Sequence, residues 1–358
     1  MSGTSMDGLD CGLFNINLNQ KYNLYWEFID FKTFKYCKKI KENISKSLNG
    51  DIKTKNSLND LLGKEFALLS KKFIGERSID YIALHGQTIS HVDGVSSMQV
   101  SDPKYLNQVF NVPIIYDFRQ GDIMLGGNGA PLMPFLDWLL FKNSFNDIIT
   151  LNIGGISNIS YIPRSHKKND VIGFDTGPGM SLIDECCRYF YNKSYDKDAK
   201  YSINGKVELK ILDELMLDDF INKAPPKSTG RQEFGAEIIY YYKKKYPDIL
   251  ARDFLTTYCA FTAKSISYNI TKFLNFNRSN VKLIVSGGGA HHPIVMEYLK
   301  KFILLKNIET IDSYGISIDM KESLLMAVLG AAYIYKIPAN IPSVTGAKKL
   351  TVLGKLYN

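Results

Sequence analysis

The sequence predicts an α/β fold in two domains, and three observations support that prediction. Strand-type and helix-type hydrophobic periodicity alternate along the chain, a pattern typical of α/β architecture. The chain has 358 residues, more than one hydrophobic core usually supports, since domains commonly hold roughly 100–200 residues. Its 45% hydrophobic and 22% charged residues are ordinary for a globular protein. Two domains imply a cleft between them.

The first half begins with two strands and a helix. Residues 11–17 and 24–31 have strand-type composition and predict a strand pair. Apolar side chains recur at helical spacing over residues 58–73, which predicts an amphipathic helix. Two further strands are predicted near residues 81–84 and 112–116.

The second half repeats this opening. Residues 147–153 are a β-rich run that ends in two glycines, and residues 158–162 resume the strand pattern after the turn. Helical patterns follow at 254–274 and 321–335, with a buried-type strand at 281–286 between them.

The domain boundary is predicted in the polar stretch 143–146. Residues 1–145 and the returning segment 325–358 then form the first domain, and residues 146–324 form the second. The last helix is expected to pack back onto the first domain.

Composition argues against several functions. The net charge is +8, but the lysines are scattered and no recognition helix or stacking motif accompanies them, so nucleic-acid binding is not predicted. The longest apolar run, residues 324–335, is shorter than the ~20 residues that cross a bilayer. The first residues lack the basic and apolar parts of a secretory signal, so we expect a cytoplasmic protein. The cysteines and histidines lack metal-ligand spacing, which predicts reduced thiols and no transition-metal site.

Three glycine-rich loops are candidates for binding a nucleotide. The three successive glycines of the third would let a flat ligand approach the backbone without Cβ clashes. The first two are candidate phosphate sites. Such loops aim backbone N–H groups at an anion while an acidic side chain reaches a phosphate-bound cation. An ordinary hairpin is the alternative for the first loop. Rossmann and Walker motifs are absent from the sequence, so another type of nucleotide site is required. The loops are Ser2-Gly3-Thr4-Ser5-Met6-Asp7-Gly8-Leu9-Asp10, Asn152-Ile153-Gly154-Gly155-Ile156-Ser157-Asn158 and Ser286-Gly287-Gly288-Gly289-Ala290.

Asp175 is the candidate catalytic base. It is placed after a short strand and upstream of an apolar helical stripe over residues 180–190. A helix N-terminus favours the ionised carboxylate, which suits a base, although the same stabilisation weakens its basicity. The alternative is that Asp175 only caps the helix.

A second polar group is predicted to line a sugar pocket. His85, Asp117 and Arg119 follow predicted strands, and a glycine-rich segment covers residues 126–131. The Arg119 guanidinium suits a substrate carboxylate. A surface turn, or an internal ion pair between Arg119 and Asp117, is the alternative.

Taken together, these motifs resemble those of the anhydro-N-acetylmuramic acid kinase family, within the superfamily of sugar kinases, heat-shock chaperones and actin. The resemblance covers almost the whole chain and rests on many ordered motifs. The matching segments are Met1-Ser2-Gly3-Thr4-Ser5-Met6-Asp7-Gly8, His85-Gly86-Gln87-Thr88, Asp117-Phe118-Arg119, Gly126-Gly127-Asn128-Gly129-Ala130-Pro131-Leu132, Asn152-Ile153-Gly154-Gly155-Ile156-Ser157-Asn158, Phe174-Asp175-Thr176-Gly177-Pro178-Gly179, Pro225-Pro226-Lys227-Ser228-Thr229-Gly230-Arg231, Gly287-Gly288-Gly289-Ala290-His291 and Pro342-Ser343-Val344-Thr345-Gly346-Ala347.

The resemblance implies two ribonuclease H-like, actin-type ATPase domains, each a mixed sheet with flanking helices, with a cleft between them. It implies a reaction that uses Mg²⁺ and ATP. Water would open the 1,6-anhydro ring of anhydro-N-acetylmuramic acid, and the freed 6-oxygen would be phosphorylated, giving N-acetylmuramic acid 6-phosphate in cell-wall recycling. A homodimer is also implied, with no nucleic-acid or membrane partner.

The resemblance also assigns residues. Asp175 matches the catalytic aspartate, and Glu322 resembles a substrate-contacting acid, for which a solvated surface charge is the alternative interpretation. His85, Asp117 and Arg119 would also contact the substrate, and Mg²⁺ would arrive with ATP, near Asp7 or Asp10. The ATP contacts would be Gly3, Thr4, Ser5, Met6, Asp7, Gly8, Leu9, Asp10, Gly154, Gly155, Gly287, Gly288 and Gly289.

Some features depart from the family pattern. The chain begins at the first phosphate loop, whereas the family has a few more residues that form a strand leading into it. Without that strand the central sheet is expected to be incomplete beside the ATP site, as in a shortened gene model or a natural variant with weakened nucleotide binding. Met180, His292 and Asn128 stand where the family has other residues, which bears on substrate contacts more than on the fold. Two other functions remain open: a kinase for another amino sugar, and an ATP-binding module that phosphorylates no small molecule.

Overall fold

The computed structural model describes residues 1–3, 8–48, 51–230 and 232–358. Strands and helices alternate through this part of the chain, and the predicted mixed α/β class is confirmed. The strands are β1 (Gly8–Leu18), β2 (Leu24–Lys35), β3 (Ile82–Leu84), β4 (Gln87–Val92), β5 (Ser96–Val100), β6 (Ile114–Tyr116), β7 (Asp147–Ile153), β8 (Ile156–Ile162), β9 (Ile172–Pro178), β10 (Val281–Ser286), β11 (Ile308–Thr310) and β12 (Lys355–Tyr357).

The helices occupy most of the remaining described residues, and short 3₁₀ turns connect several elements. The α-helices are α1 (Lys38–Leu48), α2 (Ile52–Ile74), α3 (Pro103–Phe110), α4 (Gln120–Ile123), α5 (Met133–Phe141), α6 (Ser181–Tyr191), α7 (Leu209–Met216), α8 (Asp219–Asn222), α9 (Ala236–Lys245), α10 (Ala251–Phe273), α11 (Pro293–Ile303), α12 (Lys321–Ile334) and α13 (Pro342–Thr345).

The chain divides into two compact units. Unit 1 contains Met1–Leu140 and Met320–Asn358, and unit 2 contains Phe141–Asp319. Each unit has its own hydrophobic core. None of the described helices is long and apolar enough to cross a membrane.

Unit 2 is built on a five-stranded mixed sheet in the order β11-β10-β7-β8-β9. β7, β10 and β11 run parallel, while β8 is antiparallel to both of its neighbours. α10 is buried along most of its length beside this sheet. Because β7 and β10 are parallel, the turns that follow them lie at the same edge of the sheet.

Unit 1 holds a long antiparallel hairpin of β1 and β2, a sheet in the order β12-β6-β3, and a second hairpin of β4 and β5. α2, α3 and the returning helix α12 pack against these strands. The return of α12 explains why residues far apart in the sequence share one site in this unit.

A cavity of about 730 Å³ separates β1 from β3 in unit 1, with α2 and α12 also lining it. Met1 lies at its end, where the Met1 ammonium donates to Asp10 O (2.8 Å) and Asp10 N–H donates to Met1 O (2.9 Å). On the other side, Ser2 N–H donates to His85 O (3.1 Å), just past β3. The expectation about the strand that leads into the first phosphate loop is not tested by this cavity.

Candidate active site

Asp175 lies within β9, not between a strand and a helix as the sequence pattern suggested. It is opposite Asn158 of β8. Asp175 N–H donates to Lys227 O (3.2 Å), and Asp175 Oδ2 accepts from Thr229 N–H (3.0 Å). The next helix, α6, has Met180 as its N-cap, so the helix-cap interpretation of Asp175 is wrong. A hydrogen bond from a backbone N–H favours the ionised carboxylate.

The end of β9 is locked to the Gly154–Gly155 turn. Gly179 N–H donates to Gly155 O (2.9 Å), and Met180 N–H donates to Gly154 O (2.8 Å). A Cβ on Gly179 would lie 2.2 Å from Gly154 O, closer than any side chain allows. Glycine is therefore required where the Asp175 strand meets the β7–β8 turn.

The triple-glycine turn after β10 packs against the end of β7, next to the Gly154–Gly155 turn. A Cβ on Gly287 would lie 2.4 Å from Asn152 Oδ1, and one on Gly289 would lie 2.2 Å from Ile153 Cγ2. A Cβ on Gly288 would meet nothing within 4 Å. Two of the glycines thus permit close packing on β7, and the middle one presents its backbone to open space.

The structure therefore brings together three features of unit 2, namely the Gly154–Gly155 turn, the Gly287–Gly289 turn and the end of β9, the strand that carries Asp175. The shared cause is the sheet, because the turn after β7 contacts both the end of β9 and the turn after β10. We call this group the glycine corner.

Polar side chains of α10 hold the Asp175 strand, and they were not predicted from the sequence. Thr262 Oγ1 donates to Gly179 O (2.8 Å), Asn269 Nδ2 donates to Thr176 O (3.1 Å), and Ser265 Oγ also donates to Thr176 O. These side chains are buried. Polar residues recurring on one face of an otherwise apolar helix were the available signal.

Part of the first phosphate loop lies outside the described residues, namely Thr4, Ser5, Met6 and Asp7. Of the remaining residues, Gly8, Leu9 and Asp10 begin β1, and Gly3 O accepts from Gln87 Nε2 (3.1 Å). A Cβ on Gly8 would lie 2.6 Å from Phe34 O, so glycine is required by the adjacent strand β2.

Unit 1 gathers three predicted substrate residues and Asp10 into one electrostatic cluster. Arg119 Nη1 donates to Gly129 O (2.9 Å), and Arg119 Nη2 lies 3.4 Å from His85 Nε2. Glu322 lies in the first turn of α12, where burial and the charge of Asp10 raise the pKa of its carboxyl. Glu322 is therefore not the solvated surface charge of the alternative interpretation.

Burial controls the protonation of this cluster. Burial, with the nearby Arg119 charge, lowers the pKa of His85 to about 3, so His85 is neutral at neutral pH. Burial lowers the pKa of Arg119 to about 10, which leaves the guanidinium charged. His85 Nδ1 and Arg119 Nε have no hydrogen-bond partner among the described residues. Buried polar atoms without partners are costly, and a polar ligand would satisfy them.

Asp117 does not take part in the contact between Arg119 and His85. Its carboxylate forms an ion pair with Lys355 (2.8 Å), at the antiparallel pairing of β6 and β12. The structure thus pairs Asp117 with Lys355, and not with Arg119 as the alternative interpretation had it.

Asp122 connects two of the motifs and was also missed. Its buried carboxylate accepts from Gly129 N–H (2.9 Å), Asn340 Nδ2 (3.0 Å) and Thr345 Oγ1 (2.8 Å). It thereby ties the 126–131 loop to the 342–347 segment. Because Arg119 donates to Gly129 O, Asp122 also fixes the position of the guanidinium.

The structure shows what each of the three residues that depart from the family pattern contacts. His292 caps α11, its Nδ1 accepting from Val295 N–H (3.3 Å). Asn128 N–H donates to Thr345 O (2.8 Å), and Met180 packs against the core of unit 2. Among the residues that the structure describes, no three His, Cys, Asp or Glu side chains gather as a metal site.

Comparison with known proteins gives a match along the full chain. A family model described as "Anhydro-N-acetylmuramic acid kinase" matches residues 1–358. A protein of that name from Clostridioides difficile (strain 630) is 36% identical over 370 residues, covering 99% of this chain and 96% of the relative. One from Bacillus cereus is 35% identical over 372 residues, covering 99% of this chain and 97% of the relative.

Similarity to solved structures is weaker. A ROK family glucokinase from Streptomyces griseus, in complex with glucose and AMPPNP, is 8% identical and has a TM-score of 0.37. The match covers 88% of this chain and 98% of that one. A likeness of this size carries no argument about fold or activity.

Proposed function

This chain belongs to the anhydro-N-acetylmuramic acid kinase family, and from that premise we propose that it converts 1,6-anhydro-N-acetylmuramic acid, water and ATP to N-acetylmuramic acid 6-phosphate and ADP. The reaction serves the recycling of cell-wall sugars. A cytoplasmic location and a homodimer stay predictions.

The observation that carries the proposal is the glycine corner itself. It joins two glycine turns to the end of β9, the strand that carries Asp175. Thr229 N–H donates to the Asp175 carboxylate, and Gly288 leaves backbone open for a ligand. Phosphoryl transfer needs positioning and charge stabilisation more than covalent chemistry from the protein. A held carboxylate on the strand whose end contacts the proposed phosphate-binding turn is consistent with that need.

In the proposed reaction Asp175 accepts a proton from a water molecule as the water oxygen bonds to the anomeric carbon. The bond between that carbon and the 6-oxygen breaks, and the electron pair goes to the 6-oxygen. This oxygen then bonds to the γ-phosphorus of ATP, and ADP leaves. The proton ends on Asp175, so the water supplies the new anomeric hydroxyl.

The residues present fit a nucleotide. Gly288 presents backbone to open space, which suits close approach by a ligand. The Gly154–Gly155 turn and the Gly3–Asp10 loop are the proposed phosphate contacts, and the Gly287–Gly289 turn is proposed to face the adenine nucleoside. Bound with the nucleotide, Mg²⁺ supplies positive charge that neutralises the phosphates; Asp10 and Asp7 are the acids proposed to hold it.

The unit 1 cluster fits an acidic sugar. Arg119 is half-buried and charged, and its buried Nε is unpartnered; neutral His85 has an unpartnered Nδ1 within the described chain. We assign Arg119 to the substrate carboxylate and His85 and Glu322 to its oxygens. Asp117 stays a candidate only because it lies two residues before Arg119 in the sequence. The Lys355 ammonium already neutralises its carboxylate.

An oxygen-label experiment tests the proposal. Purified protein, Mg-ATP and the anhydro sugar are incubated in ¹⁸O-water, and the product is analysed by mass spectrometry. We expect one solvent oxygen at the anomeric carbon and a phosphate on the 6-oxygen. A phosphorylated product without solvent oxygen would indicate direct phosphorylation of a sugar hydroxyl.

The role of Asp175 is tested by Asp175→Asn. The variant keeps the size of the side chain and removes the base, so turnover should fall by about 10²-fold or more while ATP binding is retained. Asp170→Asn is the matched control, since Asp170 is exposed in the same unit. Equal turnover in the wild type and Asp175→Asn would refute the assignment.

A further inference from the structure

Lys227 is a buried lysine in the segment that hydrogen-bonds to the strand of the proposed base. Its side chain is only 5% exposed, and its Nζ donates to Phe220 O (2.9 Å) and Ile221 O (3.2 Å) of α8. The ammonium also lies over the rings of Phe220 (4.8 Å to the centroid) and Phe273 (5.0 Å). Carbonyl oxygens and aromatic faces thus replace the water that an ammonium normally requires.

The backbone around Lys227 holds Asp175 on two sides. Lys227 O accepts from Asp175 N–H (3.2 Å), and two residues later Thr229 N–H donates to Asp175 Oδ2 (3.0 Å). The Lys227 side chain anchors this segment to α8. A change in the anchor would therefore move the donor that fixes the carboxylate.

We propose that Lys227 is a positioning residue for the reaction: its ammonium anchors the 227–229 segment so that Thr229 N–H stays on the Asp175 carboxylate, and it places a positive charge behind that carboxylate. The proposal rests on the proposed function of Asp175 as the base.

The charges around Lys227 support this role. Burial, together with the charges of Lys272 at the end of α10 and Lys223 after α8, lowers the pKa of Lys227, to about 8. The carboxylates of Asp175 and Asp218 act in the opposite direction. Because the interaction between two charges is mutual, the Lys227 ammonium favours the ionised form of Asp175. At neutral pH most of the Lys227 population is charged.

Kinetic pH profiles separate this role from simple support of the fold. In Lys227→Met the loss of the charge should raise the pKa of Asp175, moving the acidic limb of kcat/KM to higher pH by roughly one unit. Lys227→Arg keeps the positive charge, so the acidic limb of its kcat/KM profile should lie at the wild-type pH. Lys223→Met, which removes an exposed lysine nearby, is the matched control and should leave the limb in place.

A second measurement does not need turnover or a folded Lys227 variant. In Asp175→Asn the Lys227 ammonium loses a stabilising charge, so its pKa, followed by NMR of ¹³C-labelled lysine side chains, should fall below the wild-type value. An unchanged Lys227 pKa, or an acidic limb that stays fixed in Lys227→Met while activity falls equally at every pH, would overturn the proposal. If the wild-type protein shows no kinase activity, the proposed function fails and the NMR result still decides the coupling.

Discussion

Replacing Asp122 by Asn tests the network that holds the two motif segments of unit 1. The substitution keeps the shape of the side chain and turns one carboxylate oxygen into an NH₂ group. Asp122 Oδ1 receives Asn340 Nδ2 and Thr345 Oγ1, while Oδ2 receives Gly129 N–H. If the new amide keeps its oxygen toward Asn340 and Thr345, its NH₂ group faces the Gly129 N–H, and two donors meet in a buried site.

The expected loss follows from the unmet donors. A buried donor without an acceptor costs about 1–3 kcal/mol, and the remaining two bonds weaken because their acceptor is no longer charged. We expect the free energy of unfolding of unit 1 to fall by about 2–4 kcal/mol. For a unit of this size that corresponds to a Tm lower by roughly 5–15 °C. Thr345→Val, which removes a single donor, should cost about 1 kcal/mol.

The assay can observe unit 1 by itself. The chain has two tryptophans, Trp26 and Trp138, and both belong to unit 1. Fluorescence excited at 295 nm during urea unfolding therefore reports on this unit. Asp170→Asn, an exposed change of the same kind in unit 2, serves as the control and should leave the transition unchanged.

Two results would refute the reasoning. A change below about 0.5 kcal/mol for Asp122→Asn would mean that the three hydrogen bonds do not hold the loops, since exposed substitutions commonly fall within that range. If Thr345→Val lowered the free energy of unfolding as much as Asp122→Asn, the lost stability would come from altered packing and not from the hydrogen bonds of the carboxylate.

Two further predictions concern the glycine corner and the protonation of His85. Gly287→Ala should destabilise unit 2 by about 2–4 kcal/mol, because Gly287 has φ +81° and an added Cβ would clash with Asn152. Gly288→Ala should change the stability of unit 2 by less than about 0.5 kcal/mol and should instead weaken ATP binding. Scanning calorimetry measures the stability of both variants, and titration calorimetry measures their ATP affinity. Equal destabilisation by both would contradict the open-space assignment of Gly288. The native His85 pKa of about 3 is below the unfolded value of about 6.5, so only the unfolded state takes up this proton as pH falls below about 6.5. Unit 1 should therefore lose about 2 kcal/mol between pH 7 and pH 5, as followed by tryptophan-detected urea unfolding, and the same loss in His85→Gln would show that His85 is not its source.

The regular elements of the fold were the part best predicted from the sequence. The structure gives residues 147–153 and 281–286 as strands with the predicted bounds, and the predicted helix 254–274 is found at Ala251–Phe273. These elements are buried, so their hydrophobic pattern is strong. The β4–β5 hairpin and α9 were missed because polar or exposed residues make up much of each, which leaves little periodicity to detect.

The candidate site was predicted in its members but not in its contacts. The glycine turns and Asp175 were singled out by residue type, yet the position of Asp175 within β9 depends on pairing with β8, which no local pattern shows. The burial of Lys227 and Asp122 is likewise a tertiary property. A lysine in a loop or an aspartate in a short helix is ordinarily exposed, so no local pattern distinguished Lys227 or Asp122 from its neighbours.

The cavity between β1 and β3 leads to an expectation about the protein in concentrated solution. Beyond Asp10, the side of β1 that faces the cavity has no neighbouring strand in the part of the chain that the structure describes. An unpaired strand of this kind is a template for another molecule's backbone, and apolar side chains form much of the surrounding wall. An extended apolar peptide would gain hydrogen bonds and burial together. Self-association at high protein concentration, suppressed by such a peptide, is the behaviour that follows from this geometry.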